Sequence, residues 1–226
     1  MSKFLLSVLD WSEVWALLVP LIALAFRRRQ PVYIRPVVIY LWLALLINAI
    51  IDVIMLINIH TPGSVFSNNP FYNIHSVVRF TCFSIYFIRL PQHSFHKLKK
   101  FLAIFSVIFV LVNFLFFEDF FNYDYFSGTL LVTEAYLLLI YCLQYYLAEL
   151  RSDDDQLFNG PDFWIVTGLA IYVVVNFFVF LFYVPMLKIN LPLATNIWNV
   201  HNIAFIILCI FITKALYGSF RNQYTA

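Results

Sequence analysis

Seven long apolar segments, separated by short polar ones, run through the chain. They predict helices at about 4–26, 37–59, 71–90, 101–117, 129–150, 161–184 and 193–217. Each approaches the roughly 20 residues that cross the hydrocarbon core of a bilayer, and the segment 101–117 is the shortest. The alternating pattern of strands does not occur in them. We therefore predict an all-α bundle of seven transmembrane helices, which forms one domain over residues 1–226.

Polar residues interrupt these segments with helical spacing. His75 and Arg79 lie four residues apart in the third segment, and Asn48 and Asp52 lie four residues apart in the second. Residues at this spacing share one face of a helix. Because a charge inside a bilayer is costly, it normally faces the bundle interior and marks a functional site. Arg79 is therefore expected to pair with Asp52 or Glu134 in the interior.

The basic residues predict how the bundle is oriented. On one side of the predicted bundle lie the connections after the first, third and fifth segments and the C-terminal end. They carry four, four, one and two Lys or Arg residues, respectively. Only Lys3 and Lys188 fall on the other side. The positive-inside rule then predicts an outside N-terminus and a cytoplasmic C-terminus. The arginines 27–29 directly after the first segment favour a retained anchor over a cleaved signal peptide.

This orientation places the polar residues at similar depth. Asp52 and Glu134 lie about 10 Å below the outer ends of their helices, and Arg79 lies about 12–14 Å down. The inner halves are almost purely apolar, so we expect a polar pocket that faces the extracytoplasmic side and has Arg79 at its floor. Interhelical hydrogen bonding alone is the alternative explanation. The candidate ligand-binding residues are Glu13, Asn48, Asp52, Asn73, His75, Arg79, Glu134, Asn176, Asn199, His201 and Asn202.

Composition agrees with a membrane protein. The chain is 63% hydrophobic and 12% charged, whereas soluble domains are about 45–50% apolar and about 25% charged. We expect an integral, multi-pass protein surrounded by the lipid bilayer, in a bacterial inner membrane. No basic patch interleaved with aromatic residues supports nucleic-acid binding. Cys82, Cys142 and Cys209 lie in apolar runs and are interpreted as inert buried thiols.

Three functions fit these features. A receptor-like sensor would bind a small ligand from the extracytoplasmic side and signal through a separate cytoplasmic partner, without enzymatic activity. A membrane-embedded metal-dependent hydrolase is the first alternative, with zinc held by Asp52, His75 and His201, although no H-E-x-x-H motif is present. A small-solute transporter is the second, although neither an internal repeat nor a polar inner half is visible. We expect the sensor, with no cofactor.

The lysines and histidines bear on two possible pigment cofactors, retinal and haem. A retinal Schiff base needs a lysine in the middle of the last helix, and that helix has only Lys214, near its end. A haem held by His75 and His201 has no motif in its favour. The stretch Asn69-Pro70-Phe71-Tyr72-Asn73-Ile74-His75 resembles the start of helix 3 in uncharacterised seven-helix membrane proteins of Bacteroidota-type bacteria. That resemblance implies the seven-helix fold and no particular activity.

Overall fold

A computed structural model describes residues 8–26, 30–61, 66–92, 94–122, 124–151 and 160–218. The predicted start of the first helix at about residue 4 and the arginines 27–29 lie outside this part of the chain. The described residues form helices and no strand, so the all-α prediction is confirmed for them. The helices are α1 (Ser12–Phe26), α2 (Arg35–His60), α3 (Asn69–Arg89), α4 (His96–Phe116), α5 (Gly128–Glu149), α6 (Pro161–Ile189) and α7 (Leu191–Gly218), with a short 3-10 turn at Val32–Ile34.

Local sequence explains where most helices begin. Proline stands in the first turn of α2, α3 and α6, where its missing N–H leaves no intrahelical bond unmade. Ser127 caps α5 by accepting a hydrogen bond from the backbone N–H of Leu130, which satisfies one of the orphan donors of the first turn.

Two boundaries differ from the prediction. Helix α4 begins at His96, five residues earlier than expected, because the lysines before Phe101 continue the helix instead of forming a loop. Helix α6 continues through Pro185 to Ile189, where a turn was expected. A proline removes only one backbone hydrogen bond, and buried transmembrane helices tolerate this interruption.

Six helices form a closed ring. In order around it, α1 packs on α2, α2 on α3, α3 on α5, α5 on α6, α6 on α7, and α7 returns to α1. Helix α4 packs outside the ring against α3 and α5. The ring interior therefore receives side chains from every helix except α4.

The two ends of the bundle are distinguished by their contacts. At the end that we call the upper end, Tyr72 near the start of α3 contacts Phe126 before α5 and Trp198 of α7. At the lower end, Gln30 donates a hydrogen bond to the carbonyl of Leu216 near the end of α7. Helices α1, α3, α5 and α7 thus run from the upper to the lower end, and the others run back.

The outer surface is apolar. Ile39, Trp42, Leu46 and Val53 are exposed along α2, and α4 exposes a similar stripe. Five helical segments of the described chain are long and apolar enough to cross a membrane: Val32–His60, His96–Phe116, Gly128–Glu149, Pro161–Ile189 and Leu191–Tyr217. Helix α1 is apolar but shorter. The architecture is that of a helical membrane protein.

Candidate polar site in the bundle

Arg79 and Glu134 form a bidentate ion pair inside the ring. Arg79 Nε lies 2.5 Å from Glu134 Oε1, and Nη2 lies 2.7 Å from Oε2. Ser76 Oγ donates to Oε2 at 2.5 Å, and Arg79 Nη1 donates to the Tyr172 hydroxyl at 2.6 Å. Arg79 and Glu134 are each 4% exposed. Of the two partners expected for Arg79, Glu134 is the one that it binds, and the bidentate geometry is the strong form of this interaction.

His75 lies one turn above Arg79 on α3 and faces α2. Its Nε2 atom is 3.4 Å from the Tyr40 hydroxyl, and the two rings stack with their centroids 5.9 Å apart. Both side chains are buried. His75 is therefore covered by Tyr40 and does not line an open cavity with that face.

His201 joins α7 to α6 and α1. Asn176 Nδ2 donates to the Tyr172 carbonyl at 2.8 Å, which fixes the orientation of that amide. The Asn176 oxygen then accepts from His201 Nδ1 at 2.5 Å. This leaves His201 Nε2 facing Glu13 Oε1 at 3.5 Å. Since the Tyr172 ring lies 5.8 Å from the His201 ring, Tyr172 connects the arginine network to the histidine.

A second group of polar side chains, which we call the Glu13 cluster, comprises Ser12, Glu13, Asn48, Asp52 and Asn202. Asn48 Nδ2 donates to the Glu13 carbonyl at 3.0 Å. Asn202 Nδ2 donates to the carbonyl of Leu9, one turn before Glu13, at 3.1 Å. Asp52 is half-buried and lies near enough to Glu13 for their charges to interact. The cluster therefore joins α1, α2 and α7.

The oxygens of the Glu13 cluster lack hydrogen-bond partners. Within the part of the chain that the structure describes, no hydrogen bond reaches Ser12 Oγ, Glu13 Oε1, Asn48 Oδ1, Asp52 Oδ2 or Asn202 Oδ1, although His201 Nε2 lies 3.5 Å from the Glu13 oxygen. Ser12 is fully buried, and the two asparagines are each 2% exposed. A buried polar atom left unsatisfied costs about 1–3 kcal/mol. Five such atoms on three neighbouring helices require an explanation, and hydrogen-bond donors from a ligand supply one.

Asn73 and Asn199, also expected in the site, lie near the upper end. Asn73 Nδ2 donates to the Phe120 carbonyl at 3.0 Å, and its Oδ1 accepts from the Ser127 backbone N–H at 2.9 Å. Both ends of that amide thus tie α3 to the α4–α5 connection. Asn199 is buried on α7, 8% exposed.

A cavity of about 390 Å³ opens at the upper end. Trp198 lines it, and its ring centroid lies 4.7 Å from that of the His201 ring, so the tryptophan separates the cavity from the histidine. Arg79, expected at the floor of an outer pocket, does not line this cavity. The residues around it are Asn68, Asn69, Tyr72, Asp124, Tyr125, Phe126, Tyr183, Leu187 and Trp198.

Several polar residues of the interior were missed from the sequence. Tyr40, Ser76 and Tyr172 supply hydroxyl partners to the network, but no spacing distinguishes them among the many tyrosines and serines of the chain. The expectation of an almost purely apolar lower half is wrong. The buried polar residues there are Ser84, Lys99, Gln144 and Glu149. Lys99 was placed in a loop, whereas it lies in the first turn of α4 and is 1% exposed.

The described side chains do not form a metal site of the usual kind. No group of three or more His, Cys, Asp or Glu residues in the described ranges is placed to hold an ion, so Asp52, His75 and His201 do not come together as zinc ligands. Hydrolysis by a bound metal therefore gains no support from the geometry. Comparisons with protein-family models, with curated proteins and with solved structures find no match to this chain.

Proposed function

We propose that the chain is a seven-helix, receptor-like membrane protein that binds a small ligand from the extracytoplasmic side and signals through a separate cytoplasmic partner. The observation that carries this proposal is the Glu13 cluster, where five side-chain oxygens on three helices lack a hydrogen-bond partner in the described structure. Arg79 and Glu134 in the same ring are paired with each other and with Tyr172 and Ser76. The described lower half also holds buried polar atoms without a hydrogen-bond partner, among them the Tyr86 hydroxyl and the Gln144 amide. Within the upper half, the contrast is between this paired network and an unpaired group that suits a ligand.

The charge pattern supports the orientation in this proposal. Most of the basic residues belong to connections at the lower end, so the positive-inside rule puts that end in the cytoplasm. The Glu13 cluster and the 390 Å³ cavity then face the extracytoplasmic half. In a bacterium, this arrangement corresponds to a protein of the inner membrane.

The position of the cluster supports signalling over simple binding. It lies where α1, α2 and α7 meet, and the contact between α1 and α7 closes the ring. A ligand that ties these helices together favours the closed packing over a looser one, and a ligand shifts an equilibrium only through such a difference in affinity. The same helices reach the lower end, where Gln30 bonds to the Leu216 carbonyl.

Cysteine accessibility tests this proposal. In intact cells, a membrane-impermeant maleimide should label the Asp52→Cys variant, because Asp52 is half-buried in the upper half. The matched control is Leu150→Cys, which is 73% exposed at the lower end and should react only after the cells are permeabilised. The native cysteines are buried and contribute little background.

Two results of this labelling would overturn the proposal. Labelling of the Leu150→Cys variant in intact cells would reverse the orientation. Protection of the Asp52→Cys variant from outside, together with labelling after denaturation, would show that no path leads from the extracytoplasmic side to the cluster.

A further inference from the structure

Within the described residues, the two carboxylates of the Glu13 cluster lack a lysine or arginine partner. The upper half of the described chain contains two such bases, Arg79 and Lys188. Arg79 is bound to Glu134 and Tyr172, and the Lys188 ammonium lies 5.3 Å above the Tyr125 ring. Neither base therefore neutralises Glu13 or Asp52, and the compensating positive charge has to come from another group. A carboxylate that is buried without a counter-ion is strongly disfavoured.

His201 compensates only part of this charge. Its Nε2 atom, 3.5 Å from Glu13 Oε1, forms an ion pair when the ring is protonated. One carboxylate then remains, and the oxygens of Asn48 and Asn202 still have no donor. The cluster therefore matches a ligand that brings both a positive charge and several N–H donors.

An organic ammonium group has these properties. It carries one charge and three N–H donors, and it reaches acceptors on three helices without the close ligand shell that a metal ion needs. The described residues offer no group of three His, Cys, Asp or Glu side chains for such a shell. Aromatic rings lie next to His201, the neighbour of Glu13, since the Trp198 ring contacts His201 and the Tyr72 and Tyr183 rings contact Trp198. Rings of this kind attract ammonium groups and cover alkyl chains.

We propose that the Glu13 cluster binds the ammonium group of a small organic amine, with Glu13 and Asp52 as its charge partners and the oxygens of Asn48 and Asn202 as acceptors. This identification rests on the proposed function, because it names the ligand class of the same site. Trp198, Tyr72 and Tyr183 cover the alkyl part of the amine toward the upper end.

Thermal unfolding of the purified full-length protein in detergent tests the proposal. The probe is propylammonium chloride, compared with sodium chloride and with 1-propanol at equal concentrations. A ligand that binds only the folded state raises the Tm in a saturable manner. We expect this rise with propylammonium alone. In the Glu13→Gln and Asp52→Asn variants the apparent Kd should weaken by about tenfold or more, because hydrogen bonds to charged groups are lost.

The matched control is Asp10→Asn, which removes an exposed carboxylate one turn before Glu13 and should leave the apparent Kd unchanged. If the Glu13→Gln variant does not fold, Asp52→Asn still gives the comparison. An equal rise of Tm with sodium chloride would overturn the amine in favour of any monovalent cation. An equal rise with 1-propanol would overturn recognition of charge. No rise with any probe would also refute the amine, whereas the proposed function stands or falls separately on the cysteine labelling.

Discussion

Removal of one member of the Arg79–Glu134 pair should destabilise the bundle strongly. In Arg79→Met, Glu134 loses both arginine bonds and keeps only Ser76. In Glu134→Leu, the guanidinium keeps only Tyr172. An uncompensated buried charge costs about 3–5 kcal/mol. Each single variant should therefore lose about this much free energy of unfolding.

The double variant, Arg79→Met with Glu134→Leu, should be less damaging than either single change. It removes both charges and leaves only the hydroxyls of Ser76 and Tyr172 without partners, at about 1–3 kcal/mol each. At the midpoints of these ranges, the two single losses together exceed the double loss by about 4 kcal/mol. Ordinary interhelical hydrogen bonds in membranes average about 0.6 kcal/mol, so the difference is well resolved.

Reversible unfolding in mixed detergent and dodecyl sulfate micelles, followed by circular dichroism, measures these free energies. The exposed tyrosine variant Tyr136→Phe, 54% exposed on α5, serves as a neutral control. A coupling energy below about 1 kcal/mol would refute the reasoning, since the pair would then contribute no more than an average polar contact.

Two further changes test the packing around this network. Gly168→Ala should cost about 1–3 kcal/mol in the same unfolding assay, because a Cβ there would lie 2.5 Å from the Cβ of Phe211 on α7. In Gly128→Ala the nearest neighbour of the new Cβ is a Val184 methyl at 3.2 Å, so this variant should cost less, and an equal loss would contradict the α6–α7 contact. Tyr172→Phe should cost about 1–2 kcal/mol by removing the hydroxyl that accepts from Arg79. Wild-type stability in that variant would show that the hydroxyl is not needed.

The helices were predictable because their signal is strong. A run of about 20 apolar residues has few alternatives to a membrane helix, and the all-α prediction is confirmed for the described residues. The missed start of α4 has a physical cause, because Lys97, Lys99 and Lys100 favour a helix as well as apolar residues do. Apolarity therefore located the helix but not its first turn.

The candidate site was predictable only as far as helical periodicity reaches. Spacing placed His75 and Arg79 on one helix face, and Glu134 was one of two acidic residues predicted to pair with Arg79. The choice between Glu134 and Asp52 depended on α5, not α2, presenting its carboxylate to Arg79, which no local pattern encodes. The partner Tyr172 was hidden for the same reason, because its role arises from tertiary packing.

The contact between the first and last helices has a consequence for biosynthesis. A ring that is closed by α1 against α7 cannot be completed until α7 has been synthesised. The bonds from Asn48 to Glu13 and from Gln30 to Leu216 have very different sequence separations, 35 and 186 residues. Helices α1 and α2 can therefore pair early, while the ring stays open beside α1 until α7 is inserted. During that interval α7 does not yet cover the Glu13 cluster. We expect chaperones of membrane insertion to bind this uncovered polar surface.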